Sequence, residues 1–466
     1  MIDQTMLVAH ILFYVLVCAT IFLPIRWSVV AYLLLAQLDL TGVASYAAES
    51  FGIENPVKII IVPTILLYRL WPFDMDPTYA KLRQIWLLFS SYAAIAVLWS
   101  PYKLSALKML GYFYAYSVLF LVFTAAWQKK WFTARALTFV VWLCLLFAVI
   151  QTYVLGNPYG SFVSHSRFIE SESRFTGFIG AQSLAAFLLS MLVLLLFRER
   201  WSISVIAAGV ACTIAMVLTG SRSVFLGFGW VLLVGAIVFS LRRGHKVTLH
   251  KVVTRIIFTG AAVLSIGTLV LTTLPENRLN QLFSTLVTRD ASLEDVGTFI
   301  WRFALYQKTL TELAGRSLPA LAVGSGTSSA ANVSLEGGFT ADENVDRNRA
   351  LHDEFLRCLY EWGMPGLVLL VLFLATAVMV CLRMIKQHDS IDAWAFLALA
   401  VPMLISLAVE NFLADAASPG GVGYNLALTA MLASGPLRQE QGVTLSINSP
   451  RWTLLDNNND AAWTRS

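Results

Sequence analysis

Four positions could do chemistry together in this chain: Arg174, Arg222, Arg302 and His352. Each borders an apolar run or a helical pattern. Arg174 opens a run in Ser173-Arg174-Phe175-Thr176-Gly177, and Arg222 separates two in Leu218-Thr219-Gly220-Ser221-Arg222-Ser223. Arg302 lies in Trp301-Arg302-Phe303, at the start of a helical pattern. His352 stands in residues 349–366, the most polar stretch joined directly to an apolar run. A guanidinium presents a planar fork of donors matched to phosphate oxygens. An imidazole among positive charges is held neutral near neutral pH, and can then take a proton from a hydroxyl. Arginines with such a base suit the departure of a diphosphate under attack by a hydroxyl.

Each residue also has a plainer reading. A single arginine at a bilayer boundary can snorkel to head groups, and a lone interfacial histidine can simply pack on a neighbouring helix. Snorkelling accounts less well for Arg174 and Arg222, because positive residues are disfavoured in short outer loops. Asp353 or Glu354 could orient the imidazole, or be solvated. Glu410, near the end of the apolar run 392–412, is a functional candidate by position; it serves equally as a tie to an arginine. His165, Arg167, Glu170 and Glu172 read as solvated loop residues, and the basic run 242–255 as a topology signal. There is no glycine-rich phosphate loop, His-x-x-x-His pair or Asp-x-Asp. No metal, cofactor, nucleotide-sugar site or nucleic-acid partner is expected. The five cysteines are scattered and read as small core residues.

What must position these groups is a membrane bundle. The chain is 58% hydrophobic and 13% charged, with mean hydropathy +0.70, whereas soluble domains are about a quarter charged. The apolar content divides into continuous runs of about twenty residues, which excludes an alternating barrel pattern. Thirteen runs stand out: 6–24, 27–40, 57–73, 84–100, 104–127, 131–155, 175–197, 202–218, 223–241, 256–274, 363–385, 392–412 and 421–436. The fold class is all-α, a polytopic bundle of about 12–14 spans. The second and last runs are short for a bilayer. Residues 1–436 form one transmembrane domain, and 437–466 a tail expected to be cytoplasmic and disordered. One set of connecting segments holds sixteen Lys and Arg, and the opposite short loops hold six. Positive residues concentrate on the cytoplasmic side, so the N-terminus faces outward and the C-terminus inward. The long segment 275–362 then lies outside, with helical patterns at 280–288 and 298–314, a turn at 324–329 and a polar stretch at 335–349.

Four ordered pieces carry a resemblance: Arg174-Phe175-Thr176-Gly177, Leu218-Thr219-Gly220-Ser221-Arg222-Ser223, Trp301-Arg302-Phe303-Ala304-Leu305, and Leu351-His352-Asp353-Glu354-Phe355-Leu356 running into Glu361-Trp362-Gly363-Met364-Pro365-Gly366. Over roughly residues 170–385 the chain resembles the bacterial superfamily of O-antigen ligases and of O-antigen and exopolysaccharide polymerases. It departs from the family pattern at Gly180-Ala181-Gln182-Ser183, where an Asn-Pro-Asn element is frequent, and at Asp353, where Asn or Ser often follows the histidine. The resemblance implies an inner-membrane glycosyltransferase of the lipid-dependent, all-helical GT-C type, needing no metal and inverting the anomeric centre. Its donor would be a glycan on undecaprenyl diphosphate. Its acceptor would be a second lipid-linked repeat for a polymerase, lipid A–core for a ligase, or a protein hydroxyl for a glycosylase. A chain-length regulator and a flippase are the implied protein partners. Arg174, Arg222 and Arg302 would hold the diphosphate, His352 would be the base, and Asp353, Glu354 and Glu410 would support them. A transporter of lipid-linked glycans is the alternative from another class.

Overall fold

A computed structural model describes residues 2–38, 56–71, 80–154, 181–197, 202–219, 221–242, 297–336, 351, 353–388, 391–409 and 419–433. Among them all regular structure is helical. Lipid offers the backbone no partners, so apolar spans must satisfy their own N–H and C=O groups, and a helix does this within one segment. The helices are α1 (Ile2–Phe22), α2 (Ile25–Leu35), α3 (Val62–Leu70, entered through a π turn at Val57–Ile61), α4 (Ala80–Ile95, extended by a 3₁₀ turn at Ala96–Trp99), α5 (Lys103–Gln128) and α6 (Ala134–Val149). They continue as α7 (Ala181–Leu196), α8 (Ile203–Leu218), α9 (Arg222–Arg242), α10 (Gly297–Ala314), α11 (Leu318–Val323), α12 (Ala331–Glu336), α13 (Glu354–His388), α14 (Ile391–Val409) and α15 (Pro419–Ala433). Among the described residues, five helical stretches are long and apolar enough to cross a membrane: Ala80–Trp99, Lys103–Gln128, Ala134–Val154, Glu354–Lys386 and Ile391–Ala408. The expected run 256–274 and the tail 437–466 lie outside the described residues.

The core is built around α15, which packs on α5, α7 and α14. It carries Val422, Tyr424, Asn425, Leu426, Ala427, Leu428 and Thr429, all buried. A β-carbon on Gly423 would sit 2.9 Å from Ser190 Oγ, so only glycine lets α15 and α7 approach this closely. Asn425 Nδ2 donates to the Tyr116 carbonyl at 3.0 Å, tying α15 to α5. The expected run 421–436 is short because its helix is enclosed by protein. α2 is short for the same reason, with every residue from Ser28 to Leu35 buried.

The turn between α1 and α2 is held by Arg69 of α3. Its Nη1 donates to the Ile21 carbonyl (2.7 Å) and to Ser28 Oγ (2.9 Å), and its Nη2 to the Leu23 carbonyl (2.7 Å). Lys58 Nζ donates to the Leu38 carbonyl at 3.0 Å. These two cations are spent on helix-end carbonyls, which have no donor within their own helix.

α13 starts earlier than the apolar run expected at 363–385. Its first turns are polar, and they stay helical because their charges are buried against other elements rather than solvated.

Candidate functional site

The site region is the end of the bundle where α10, α11, α12 and the start of α13 meet. α13 bends at Gly363, which has φ 63° and ψ −163°. Two carbonyls lose their helical donors there. Tyr360 is cut off by the bend, and Glu361 faces Pro365, which has no N–H. The loop after α11 supplies replacements: Ser325 N–H donates to the Tyr360 carbonyl at 3.0 Å and Gly326 N–H to the Glu361 carbonyl at 2.8 Å. The approach is too close for side chains. A β-carbon on Gly363 would lie 2.5 Å from the Leu321 carbonyl oxygen, and one on Gly324 would lie 2.5 Å from Gly363 N. The sequence pattern Gly324-Ser-Gly326 opposite Gly363-Met-Pro365 is thus one interlocked joint.

Further bonds seat this joint on α4. Thr327 Oγ1 accepts from Trp362 Nε1 (2.9 Å) and donates to the Ala93 carbonyl (2.6 Å). Ser100 Oγ donates to the Thr327 carbonyl at 2.6 Å, and the Tyr102 hydroxyl donates to Asn332 Oδ1. Trp362 packs edge-on to Phe89 with ring centroids 5.2 Å apart. Arg316 lies 3.8 Å over the Tyr360 ring and donates to the Tyr360 carbonyl, while the Tyr360 hydroxyl donates to Glu312 Oε2 at 3.0 Å.

One face of α13 carries a buried charge ladder, Glu354–Arg357–Glu361. Arg357 Nη1 lies 2.9 Å from Glu354 Oε2, and its Nε 3.5 Å from Glu361 Oε2. All three residues are 2% exposed or less. Arg357 Nη2 reaches Met109 Sδ of α5, and Glu361 accepts backbone N–H bonds from Ser328 and Ala330. The spacing i, i+3, i+7 puts all three on one helical face. That spacing is the sequence signal by which Arg357 and Glu361 could have been singled out, and reading the stretch only for His352 misses it.

The candidates fall as follows. Arg174, His352 and Glu410 lie outside the described residues. Arg222 is described in its backbone only, as the first residue of α9. Arg302 is half-buried on α10. The described helix after position 352 begins at Glu354. Asp353 caps that helix: its Oδ1 accepts from Leu356 N–H at 2.9 Å. Burial pushes the Asp353 carboxyl up, although bonds from the Leu356 and Phe355 N–H groups pull it down. Glu354 faces Arg357. The tasks of Asp353 and Glu354 in this structure are therefore a cap and a buried ion pair.

Both α9, which begins at Arg222, and α10, which carries Arg302, pack on α14. α9 runs antiparallel to α14: Gly227 packs on Pro402, and Trp230 Nε1 donates to the Leu397 carbonyl at 3.3 Å. Continuing that register to the start of α9 brings the Arg222 backbone level with the last turn of α14, which ends at Val409. On α10, the Tyr306 hydroxyl donates to the Ala408 carbonyl at 3.4 Å. Arg302 precedes Tyr306 by one turn and shares its side of the helix. The Arg222 backbone and α10 at Tyr306 thus both lie toward the C-terminal end of α14. Leu351 is buried in a small cluster with Leu305, Ala330 and Tyr360. Among the described residues no group of three or more His, Cys, Asp or Glu could hold a metal ion.

Residues 207–371 match the family described as O-antigen ligase. The match spans α8 to the middle of α13. It includes Arg222, Arg302 and His352 and excludes Arg174 and Glu410. The match supports a relation to the superfamily of O-antigen ligases and polymerases and a glycosyltransferase-like activity of that type. No curated protein matches the chain.

Proposed function

We propose that this membrane protein transfers a glycan from undecaprenyl diphosphate to an acceptor hydroxyl at the outer face of the inner membrane, and that the product is a polymer of O-antigen or exopolysaccharide repeats. What supports the reading is the match of residues 207–371 to the O-antigen ligase family, together with the register that brings the Arg222 backbone and α10 toward the C-terminal end of α14. In this mechanism the arginines neutralise the charge that develops on the departing diphosphate. Arg174 joins them from the segment before α7. Diphosphate leaves without a proton, so no acid is required. His352 takes the proton of the acceptor hydroxyl, the new glycosidic bond forms as the bond to diphosphate breaks, and one displacement inverts the anomeric centre. No metal takes part. The lipid tail stays between helices while the polar end engages the glycan.

A ligase is the second reading, favoured by the description of the matched family. The two differ in acceptor, so the test is the deletion strain. A polymerase leaves single repeats on the lipid carrier; a ligase leaves long free polymer that never reaches lipid A. A purified protein that elongates a lipid-linked repeat in detergent excludes a transporter as the main function. Full product formation by both H352A and R222A at normal protein level would sink the mechanism.

A further inference from the structure

At the opposite end of the bundle, a cleft of about 700 Å³ lies between the α1–α2 turn and the start of α6. Arg26 and Trp27 form one wall; Thr133, Arg135 and Phe139 form the other. The positive-inside bias assigns both walls to the cytoplasmic face, and their meeting in one cleft agrees with that assignment. The cleft is built rather than incidental. Arg69 holds the turn that displays Arg26 through four hydrogen bonds, three of them to carbonyls and one to Ser28 Oγ. Thr133 caps α6 by accepting from Ala136 N–H at 3.2 Å, which leaves the first N–H groups of α6 facing outward.

Three features define the ligand chemistry. Arg26 and Arg135 are both exposed, and no carboxylate is among the described residues lining the cleft. Trp27 is 44% exposed, and tryptophan favours the head-group level of a bilayer. Below the cleft, Phe139, Trp142, Leu146 and Val149 form an exposed apolar stripe along α6, at spacings of three and four residues. A positive cleft continuous with an exposed apolar stripe fits a molecule that is anionic at one end and apolar along the rest. We infer that this cleft binds the phosphate head group of an anionic membrane phospholipid, whose acyl chain lies along the α6 stripe. A free phosphate would use the arginines but not the stripe.

The inference stands apart from the proposed glycosyl transfer, and its test needs no catalysis. Full-length protein in mild detergent is mixed with phosphatidylglycerol or phosphatidylcholine, and adducts are read by native mass spectrometry. Phosphatidylglycerol adducts are expected to dominate. In R26Q/R135Q they should fall by about tenfold or more, given roughly a factor of five per basic residue near a lipid surface. Adduct occupancy equal to wild type overturns the inference. Millimolar inorganic phosphate, against chloride of equal ionic strength, should leave the adducts in place; displacement makes the cleft a simple anion site and overturns the lipid assignment. If the double variant does not fold, R26Q and R135Q singly carry the same test, each expected to lose about fivefold.

Discussion

Arg357 and Arg302 occupy neighbouring elements at the same end of the bundle and are used differently. Arg357 is 2% exposed, flanked by two carboxylates and packed near the Trp362 ring. Its charge is consumed inside the protein. Arg302 is half-buried on α10, one turn before the Tyr306 that bonds the C-terminal end of α14. In the proposed mechanism its charge is spent on a substrate. The first arrangement makes a rigid joint at the start of α13; the second leaves Arg302 half-buried on α10. Gly363 divides α13 into two parts. Before the bend α13 is fixed by specific polar contacts, and after it by apolar packing on α4 and α14.

The sharpest way to break this contrast is to remove each arginine and compare stability with activity. R357A leaves Glu354 and Glu361 buried without their cation, which costs about 3–5 kcal/mol. The expected result is little folded protein, read by fluorescence-detected size exclusion. R302A should keep the melting temperature of wild type and lose activity by about a hundredfold, on the order of 3 kcal/mol in the barrier. If R302A unfolds and R357A does not, the assignment of roles is reversed. Arg357→Met, which removes the charge and keeps much of the volume, should still be destabilised, because two carboxylates remain.

The joint itself gives the next largest effect. G363A forces an alanine into a left-handed backbone and against the Leu321 and Ala322 carbonyls. A loss of about 1–3 kcal/mol is expected, with lower thermal stability. A wild-type melting temperature would mean that the loop after α11 yields easily. Y306F is milder: it removes one hydroxyl bond between α10 and α14, about 0.5–1.5 kcal/mol. If that bond positions Arg302, turnover falls further than stability does. Equal small losses in both would leave Tyr306 with a packing role only.

The bundle was legible in the sequence because lipid forces apolar helices, and apolar runs are visible without partners. Segment 298–314 was legible as a helix and 324–329 as a turn for similar local reasons. The ladder was not read, because its meaning depends on burial: Glu354, Arg357 and Glu361 resemble a solvated face until the 324–330 loop covers them. Asp353 caps the start of α13 and Glu354 pairs with Arg357, and neither contact is visible from their closeness to His352 in sequence. The approach of α9 and α10 to the C-terminal end of α14 depends on the register of α9 on α14 and on one tyrosine hydroxyl, separated by many residues in the chain. No spacing rule encodes that meeting; the ordered motifs only hinted at it.

Asp353 yields the smallest effect. As a cap it accepts N–H bonds, and loss of a cap costs about 1 kcal/mol. D353A should be destabilised by about that much, whereas D353N keeps an accepting oxygen and should stay close to wild type. Ionisation separates the two oxygens further. Burial raises the Asp353 carboxyl above its ordinary value. A raised folded-state carboxyl binds its proton more tightly than the unfolded chain does. Its contribution to stability is full at pH below the unfolded value, and it is lost as pH rises through the folded value. Wild type should therefore lose stability relative to D353N as pH climbs from about 4. Parallel melting curves for the two proteins across that range would show that the cap carries no such cost. A D353N enzyme that keeps its stability but loses turnover would return Asp353 to the side of the histidine.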